Sequence, residues 1–151
     1  MAKLVDELKE LISAFENSEI EYALCGGLAM AAHGFVRATM DIDLLIREES
    51  LEKAYQVGKQ NGYDIRGLDI LFKERAVEIR RISKVVGEDI ISLDLLLVTP
   101  QVKDVWETRE RIDFLGKKLS IVSRDGLIRM KALAGRPQDL VDIERLENEA
   151  S

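Results

Sequence analysis

The sequence has almost none of the residues from which disulfide frameworks and zinc sites are built. Cys25 is its single cysteine and His33 is its single histidine. A disulfide needs two cysteines and the usual structural zinc site needs four Cys or His ligands, so one chain can build neither. A lone cysteine suits a reducing compartment, and we expect a cytoplasmic protein.

The sequence also lacks a long apolar run. No stretch approaches the roughly 20 residues that cross a bilayer, and the charged N-terminus has no signal-peptide core, so we expect no membrane partner.

With 151 residues, 46% of them apolar, the chain is long enough for one domain with a real core and short for two. We expect a single domain over 1–151, with its main part up to about residue 100 and a C-terminal strand and helical segment over about 101–149.

The sequence also has no excess of positive charge. The formal net charge is −6, and because binding to extended duplex DNA needs surplus Lys and Arg, we do not expect that partner. Between Arg109 and Arg136, however, eight Lys or Arg residues stand against three Asp or Glu residues. This segment could face a polyanion such as RNA or a triphosphate, or it could be an ordinary solvated surface.

Hydrophobic periodicity predicts an α/β (α+β) protein in which helices flank a mixed sheet. Leu4, Leu8, Leu11 and Phe15 recur at helical spacing, which predicts an amphipathic first helix that ends near residue 17. Short β-branched or apolar runs predict the strands, while Gly and the two prolines mark the breaks. The predicted strands are 22–25, 41–46, 78–85, 90–98 and one or two between 111 and 122; the later helices are 28–33, 48–61, 102–108, 124–134 and 139–149.

Three aspartates occupy predicted strands. Asp41 and Asp43 are two residues apart, so their carboxylates leave the same face with Cα atoms roughly 6.5 Å apart. Asp94 is a lone charge in an apolar strand, where it is costly unless something pairs with it. If the strands are neighbours, the three acids converge, and each close pair repels by about 3 kcal/mol. A proton or an arginine would offset this repulsion, but a divalent cation with oxygen ligands does so best. The alternative is that Asp41 only begins its strand and that Asp43 or Asp94 forms a salt bridge.

Gly26 and Gly27 lie between a predicted strand and a predicted helix. Without a Cβ, backbone amides at such a turn can approach a phosphate closely. The surrounding residues match neither a P-loop nor a dinucleotide fingerprint. By itself the pair is also compatible with a plain tight turn.

In order and spacing, residues 25–45 resemble the nucleotidyltransferase-like proteins of the DNA polymerase beta superfamily, especially the small bacterial group related to AbiEii toxins. That family has Gly-Gly or Gly-Ser, about a dozen residues, Asp-x-Asp, and a third acid on a later strand. Residues 127–143 are similar to the Lys-then-Arg-x-x-Asp-x-x-Asp helix pair of the same group. The matching residues between about 24 and 146 are Gly26, Gly27, Asp41, Asp43, Asp94, Lys131, Arg136, Asp139 and Asp142.

The resemblance implies transfer of a nucleoside monophosphate from a nucleoside triphosphate to a hydroxyl group, with Mg²⁺ or Mn²⁺ as cofactor. Asp41 and Asp43 would hold the metal ions, and Asp94 would complete one metal site and help to deprotonate the acceptor. Gly26 and Gly27 would cradle the β- and γ-phosphates. The acceptor would be an RNA, a protein or a small molecule, and either of the first two would fit a toxin–antitoxin role.

Several polar residues beside these motifs are further candidates. Arg37 and Thr39 precede the Asp pair closely enough to reach the same phosphates, although Arg37 could instead pair with Asp41. Lys131, inside an apolar helical pattern, could bind phosphate together with Arg136, or it could lie along the surface with its head in water. Asp139 and Asp142 share a helix face; they could orient Lys131 or Arg136, or favour the helix start.

Two other functions fit the sequence. One is a non-catalytic nucleotide-binding or protein-interaction module that keeps the fold. The other is a structural protein whose first helix pairs in a homodimer. The catalytic assignment requires the Asp94 carboxylate on the same face as Asp41 and Asp43, and an Asp94 buried against an arginine would contradict it.

Overall fold

The computed structural model describes residues 2–35, 39–72 and 76–148. Within them, eight strands form one sheet and six α-helices flank it, which confirms the predicted fold class. Arg37 lies outside the described residues. The strands are β1 Ala23–Cys25, β2 Asp41–Ile46, β3 Ile65–Arg66, β4 Ile70–Phe72, β5 Val77–Val86, β6 Asp89–Leu97, β7 Glu110–Phe114 and β8 Lys117–Ile121; the helices are α1 Ala2–Asn17, α2 Gly26–Ala32, α3 Leu51–Gln60, α4 Lys103–Glu107, α5 Arg124–Ala134 and α6 Pro137–Asn148.

The sheet is mixed. Its strand order is β3-β5-β6-β2-β1-β8-β7, with β4 paired to β5. The β2–β6 and β1–β8 pairs are parallel, and the other pairs are antiparallel. The central strands β2 and β6 are covered on both faces, which explains why β6 reads as an almost continuous apolar run.

Helix α1 packs its apolar stripe into the core of its own chain. Leu8, Leu11 and Phe15 are buried, together with Leu4 and Ile12. Because the stripe is already covered, it is not available to pair with a second copy of the chain. Among the described helices, none combines the length and apolar character needed to span a membrane.

Strands β3 and β4 were not anticipated from the sequence. β3 is only two residues long, both of them exposed, and β4 only three, so neither has an alternation long enough to detect. They are defined by their antiparallel pairing to β5. The other elements lie within about three residues of the predicted ranges. Ser123 caps α5 as expected, with its hydroxyl oxygen accepting a hydrogen bond from the Gly126 amide.

Candidate active site

The sheet register brings the three acids to one face. In the parallel β2–β6 pair Asp43 lies opposite Asp94, and Asp41 lies two residues before Asp43. Residues that face each other across a ladder project from the same side of the sheet, as do residues two apart on one strand. The same rule adds a fourth side chain, because Arg81 on β5 lies opposite Asp94.

These side chains line a cavity of about 180 Å³ between the sheet face and helix α5. One part of its wall is polar and the other is apolar. The polar residues are Thr39, Asp41, Asp43, Arg81, Asp94, Lys131, Arg136 and Asp139, beside Gly26 and Gly27; the apolar residues are Ile70, Val77, Ile79, Leu96, Leu127, Met130 and Ala134.

Asp43 lies at the bottom of the cavity, enclosed by protein atoms yet still reachable from the cavity. Burial raises the pKa of its carboxyl to about 8, and the charges of Asp94 and Asp41 add to the shift. Hydrogen bonding between the Asp43 and Asp94 carboxyl groups raises the pKa of Asp43 further. The pKa of the half-exposed Asp41 is also raised, first by burial and then by Asp94. In the metal-free protein, therefore, one of these acids carries a proton at neutral pH.

Arg81 supplies the positive charge at this cluster. Its Nε donates to Asp94 Oδ1 at 2.7 Å and one of its terminal nitrogens donates to Asp94 Oδ2 at 2.8 Å, while the same nitrogen lies 3.6 Å from Asp41 Oδ2. This two-pronged contact to a carboxylate is the geometry that favours arginine over lysine. The hydrogen bonding to Asp94 raises the pKa of Arg81, which therefore stays charged. Asp94 meets the same-face condition for a catalytic role, but it is buried against Arg81, which contradicts its predicted catalytic assignment as long as this contact is in place.

The three aspartates provide some of the ligands that a divalent cation needs. Among the residues that the structure describes, no group of three or more Asp, Glu, His or Cys side chains is arranged to share one metal ion. Asp41 and Asp43 do offer hard oxygen ligands on one face, which is the donor type that Mg²⁺ and Mn²⁺ prefer. Both oxygens of Asp94 are engaged by Arg81. The residues that could hold a metal ion are therefore Asp41 and Asp43, joined by Asp94 only if Arg81 moves.

The glycine turn is fitted tightly around Asp43. Gly26 has a φ of +66°, and a Cβ at this position would lie 2.0 Å from Asp43 Oδ2. A Cβ on Gly27 would lie 3.2 Å from the Thr39 side chain. Thr39 accepts a hydrogen bond from the Asp41 amide at 3.2 Å, so its hydroxyl supports the backbone of Asp41. A side chain at Gly26 or Gly27 would collide with Asp43 or Thr39, respectively, and displace the acids.

Lys131 lies in a buried ion cluster at the other side of the cavity. Its ammonium donates to Asp142 Oδ2 at 2.9 Å and lies 3.8 Å from Asp139 Oδ1. Arg136 and its own backbone amide donate to Asp139, and Gln138 donates to Asp142. Lys131 is only 6% exposed, so the alternative of a surface lysine with its head in water is wrong. Asp139 and Asp142 hold Lys131 and Arg136 at the cavity wall.

Replacing Lys131 with methionine is expected to lower the free energy of unfolding by about 3–5 kcal/mol, because it leaves two buried aspartates without their shared cation. The matched control is Arg129→Met on the exposed side of the same helix, where, among the residues that the structure describes, the guanidinium donates only to the Gln101 carbonyl. That change is expected to cost less than about 1 kcal/mol. Urea unfolding of both variants measures the difference, and equal losses would contradict a stabilising role for the buried cluster.

Arg81 is the site residue that sequence reasoning missed. Arg80 and Arg81 are adjacent in a strand, and alternation alone does not show which of them faces the acids. Only the register of β5 against β6 places Arg81 opposite Asp94. The apolar half of the cavity was also missed, because it combines β4, β5 and β6 with α5.

No family model and no curated protein matches the sequence. Solved structures do match in fold. The chain is similar to TM1012, a candidate nucleotidyltransferase from Thermotoga maritima, with a TM-score of 0.66 and 13% identity over 99% of this chain and 95% of that one. It is similar to the antibiotic-resistance factor ANT(2'')-Ia, with a TM-score of 0.68 and 10% identity over 99% of this chain and 85% of that one. ANT(2'')-Ia in complex with adenylyl-2''-tobramycin matches with a TM-score of 0.66 and 10% identity, covering 99% of this chain and 90% of that one.

At these identities the likeness shows the fold alone. The chain therefore has the nucleotidyltransferase fold that the Gly-Gly and Asp-x-Asp pattern predicted. The more specific resemblance to the AbiEii-related group stays a prediction.

Proposed function

We propose that the protein is a metal-dependent nucleotidyltransferase that moves a nucleoside monophosphate from a nucleoside triphosphate to a hydroxyl group. One observation carries the proposal. Asp41 and Asp43 converge on a cavity beside the Gly26-Gly27 turn, within a fold shared with nucleotidyltransferases. Hard oxygen donors beside a turn without Cβ atoms suit a cation and a polyphosphate together.

Each residue would have a distinct part in the reaction. Asp41 and Asp43 would hold Mg²⁺ or Mn²⁺, and Thr39 would keep the Asp41 backbone in position. Gly26 and Gly27 would leave their backbone amides open to the phosphates. A bound divalent cation would neutralise the phosphates and stabilise the entering and leaving oxygens. Asp94 would accept the proton of the acceptor hydroxyl once Arg81 no longer occupies it.

The cationic side of the cavity suits the polyphosphate. Lys131 and Arg136 line it, each held by buried aspartates. Those aspartates already neutralise part of the positive charge. Lys131 and Arg136 would therefore orient the phosphates, and they would supply only part of the binding free energy of the triphosphate. We retain this phosphate-binding role for Lys131 and Arg136 as part of the proposal, together with Arg37, which precedes Asp41 in the sequence.

The acceptor is proposed to be a small molecule, an RNA or a protein. ANT(2'')-Ia was solved with adenylyl-2''-tobramycin, so a small-molecule hydroxyl is the first class to test. The local positive charge between Arg109 and Arg136 makes RNA the second. An RNA or protein acceptor would fit a toxin–antitoxin role.

Metal-dependent triphosphate binding is the first measurable consequence. At about 100 times its dissociation constant, a nucleoside triphosphate should raise the free energy of unfolding by roughly 2.7 kcal/mol. Thermal unfolding with each of the four triphosphates, with and without Mg²⁺ or Mn²⁺, measures this response. The stabilisation is expected only when both are present. A response to triphosphate that is equally large in EDTA would contradict the metal requirement.

A second candidate function is a non-catalytic nucleotide-binding module. The contact of Arg81 with both oxygens of Asp94 favours it, because a carboxylate held in this way is a poorer proton acceptor for a substrate hydroxyl. Transfer of α-labelled nucleotide to aminoglycosides, cellular RNA or cellular protein separates the two functions. Tight metal-dependent binding without any transfer of label would support the module.

A further inference from the structure

Arg81 binds Asp94, the carboxylate that would join Asp41 and Asp43 as a metal ligand if Arg81 moved. Its guanidinium engages both oxygens of Asp94, at 2.7 and 2.8 Å, and reaches toward Asp41 at 3.6 Å. A guanidinium and a divalent cation both need the lone pairs of that carboxylate, and their positive charges repel each other. Because of this repulsion and the shared lone pairs, occupancy of Asp94 by one of them weakens the binding of the other.

We propose that Arg81 is an internal counter-ion that competes with the divalent metal ion for Asp94. This inference rests on the proposed function, since it assigns to Arg81 control over the third carboxylate of that site. Metal binding at Asp94 requires the guanidinium to leave, and Arg81 thereby limits metal affinity in the absence of substrate.

The two partners differ in their freedom to move. The Asp94 side chain is 5% exposed and lies on a central strand, whereas the Arg81 side chain is 37% exposed and lines the cavity. The arginine can therefore rotate into the cavity without disturbing the core, while the aspartate stays. The space into which it moves is where the proposed function places the triphosphate, whose oxygens would accept its hydrogen bonds.

Arg80 provides a matched control on the same strand. It projects from the opposite face of β5, where it lies 3.5 Å from Asp69 and 3.4 Å from Glu78. Substitution of Arg80 removes the same formal charge from the neighbouring position. It leaves the contact between Arg81 and Asp94 intact.

The test is the affinity for Mn²⁺ alone, measured by the electron paramagnetic resonance signal of free Mn²⁺ in a titration without nucleotide. Arg81→Gln is expected to bind Mn²⁺ about tenfold more tightly than the wild-type chain, because the competing cation is gone. Arg80→Gln is expected to stay within about twofold of wild type. In an Asp94→Asn background, the gain from Arg81→Gln should be mostly lost, which a general charge effect would not produce.

An Arg81→Gln variant that binds Mn²⁺ no more tightly than wild type would overturn the inference. The proposed function would still stand in that case if the triphosphate stabilises the wild-type chain only in the presence of the metal ion. If no variant binds Mn²⁺ and the wild-type chain shows no response to triphosphate, the inference and the proposed function are both overturned. If Arg81→Gln does not fold, Arg81→Lys serves instead. It keeps the charge but loses the two-pronged contact, so about threefold tighter Mn²⁺ binding is expected, and unchanged affinity would equally contradict the inference.

Discussion

Asp43→Asn is expected to abolish metal-dependent triphosphate binding and to lower nucleotide transfer on the order of 10³-fold, since it removes the acid at the bottom of the cavity. The same change should make the metal-free protein more stable, by at least about 1 kcal/mol at pH 8, because burial and the neighbouring acids disfavour the ionised form. Opposite effects on stability and function are typical of a strained site. Isotope transfer and urea unfolding measure the two effects.

Asp89→Asn is the control for loss of an aspartate charge. Asp89 begins the strand that carries Asp94 and forms an exposed ion pair with Lys3 at 3.4 Å. Its substitution should change the free energy of unfolding by less than about 0.5 kcal/mol. It should leave triphosphate binding unaltered. A loss of binding in Asp89→Asn as large as in Asp43→Asn would remove the special role of the cavity acid.

The pH dependence of stability follows from the raised pKa of Asp43. The pKa of its carboxyl is 3.8 in the unfolded chain, and burial together with the neighbouring acids raises that pKa to about 8 in the metal-free folded protein. Between these values the unfolded chain is ionised while the folded protein holds a proton, so this contribution to stability falls as the pH rises through that window. The difference between wild type and Asp43→Asn should therefore grow from pH 4 to pH 8 and level off above it. A constant difference would contradict the raised pKa.

Gly26→Ala is expected to damage both stability and the site. At a φ of +66° an alanine is strained, and its Cβ would lie 2.0 Å from Asp43 Oδ2. The backbone strain and the collision together should cost about 2–4 kcal/mol of unfolding free energy. Because the acid must move to make room, metal-dependent triphosphate stabilisation should also disappear. Chemical unfolding and thermal shifts with Mg²⁺ and triphosphate measure the two losses.

Gly116→Ala separates backbone strain from crowding. Gly116 also has a left-handed backbone, with a φ of +82°, but within the described part of the chain no atom lies within 4 Å of the position of its Cβ. This variant should lose only about 1 kcal/mol and keep its triphosphate response. Retention of that response by Gly26→Ala would show that the site does not depend on the space beside Asp43.

Local patterns were sufficient to predict most of the chain. Residues 41–46 and 124–134 were predicted with the bounds that the structure shows for β2 and α5. Alternation, capping and glycine breaks depend on neighbours in sequence, so they can be seen without coordinates. The short strands β3 and β4 could not be found in this way, because their pairing to β5 alone defines them.

The candidate site was predicted in its composition but not in its contacts. The spacing of Asp41 and Asp43 requires a shared face, and the lone charge of Asp94 required a partner. That the partner is Arg81 depends on the register between β5 and β6. Lys131 is a similar case, since its helix was predicted but its burial against Asp142 depends on how α6 packs on α5.

The sequence by itself determined the α/β fold class, the glycine turn and the shared face of Asp41 and Asp43, because these follow from periodicity and from spacing along one strand or one turn. The nucleotidyltransferase fold and the role of Asp94 as the third acid came from the resemblance to a known family. Tertiary structure alone decided which cation neutralises the acids. Arg81 is 13 residues from Asp94 along the chain, and adjacent arginines in a strand face opposite sides of the sheet. Only the strand register selects the one that enters the site, so the charge balance of the cavity is a property of the folded sheet.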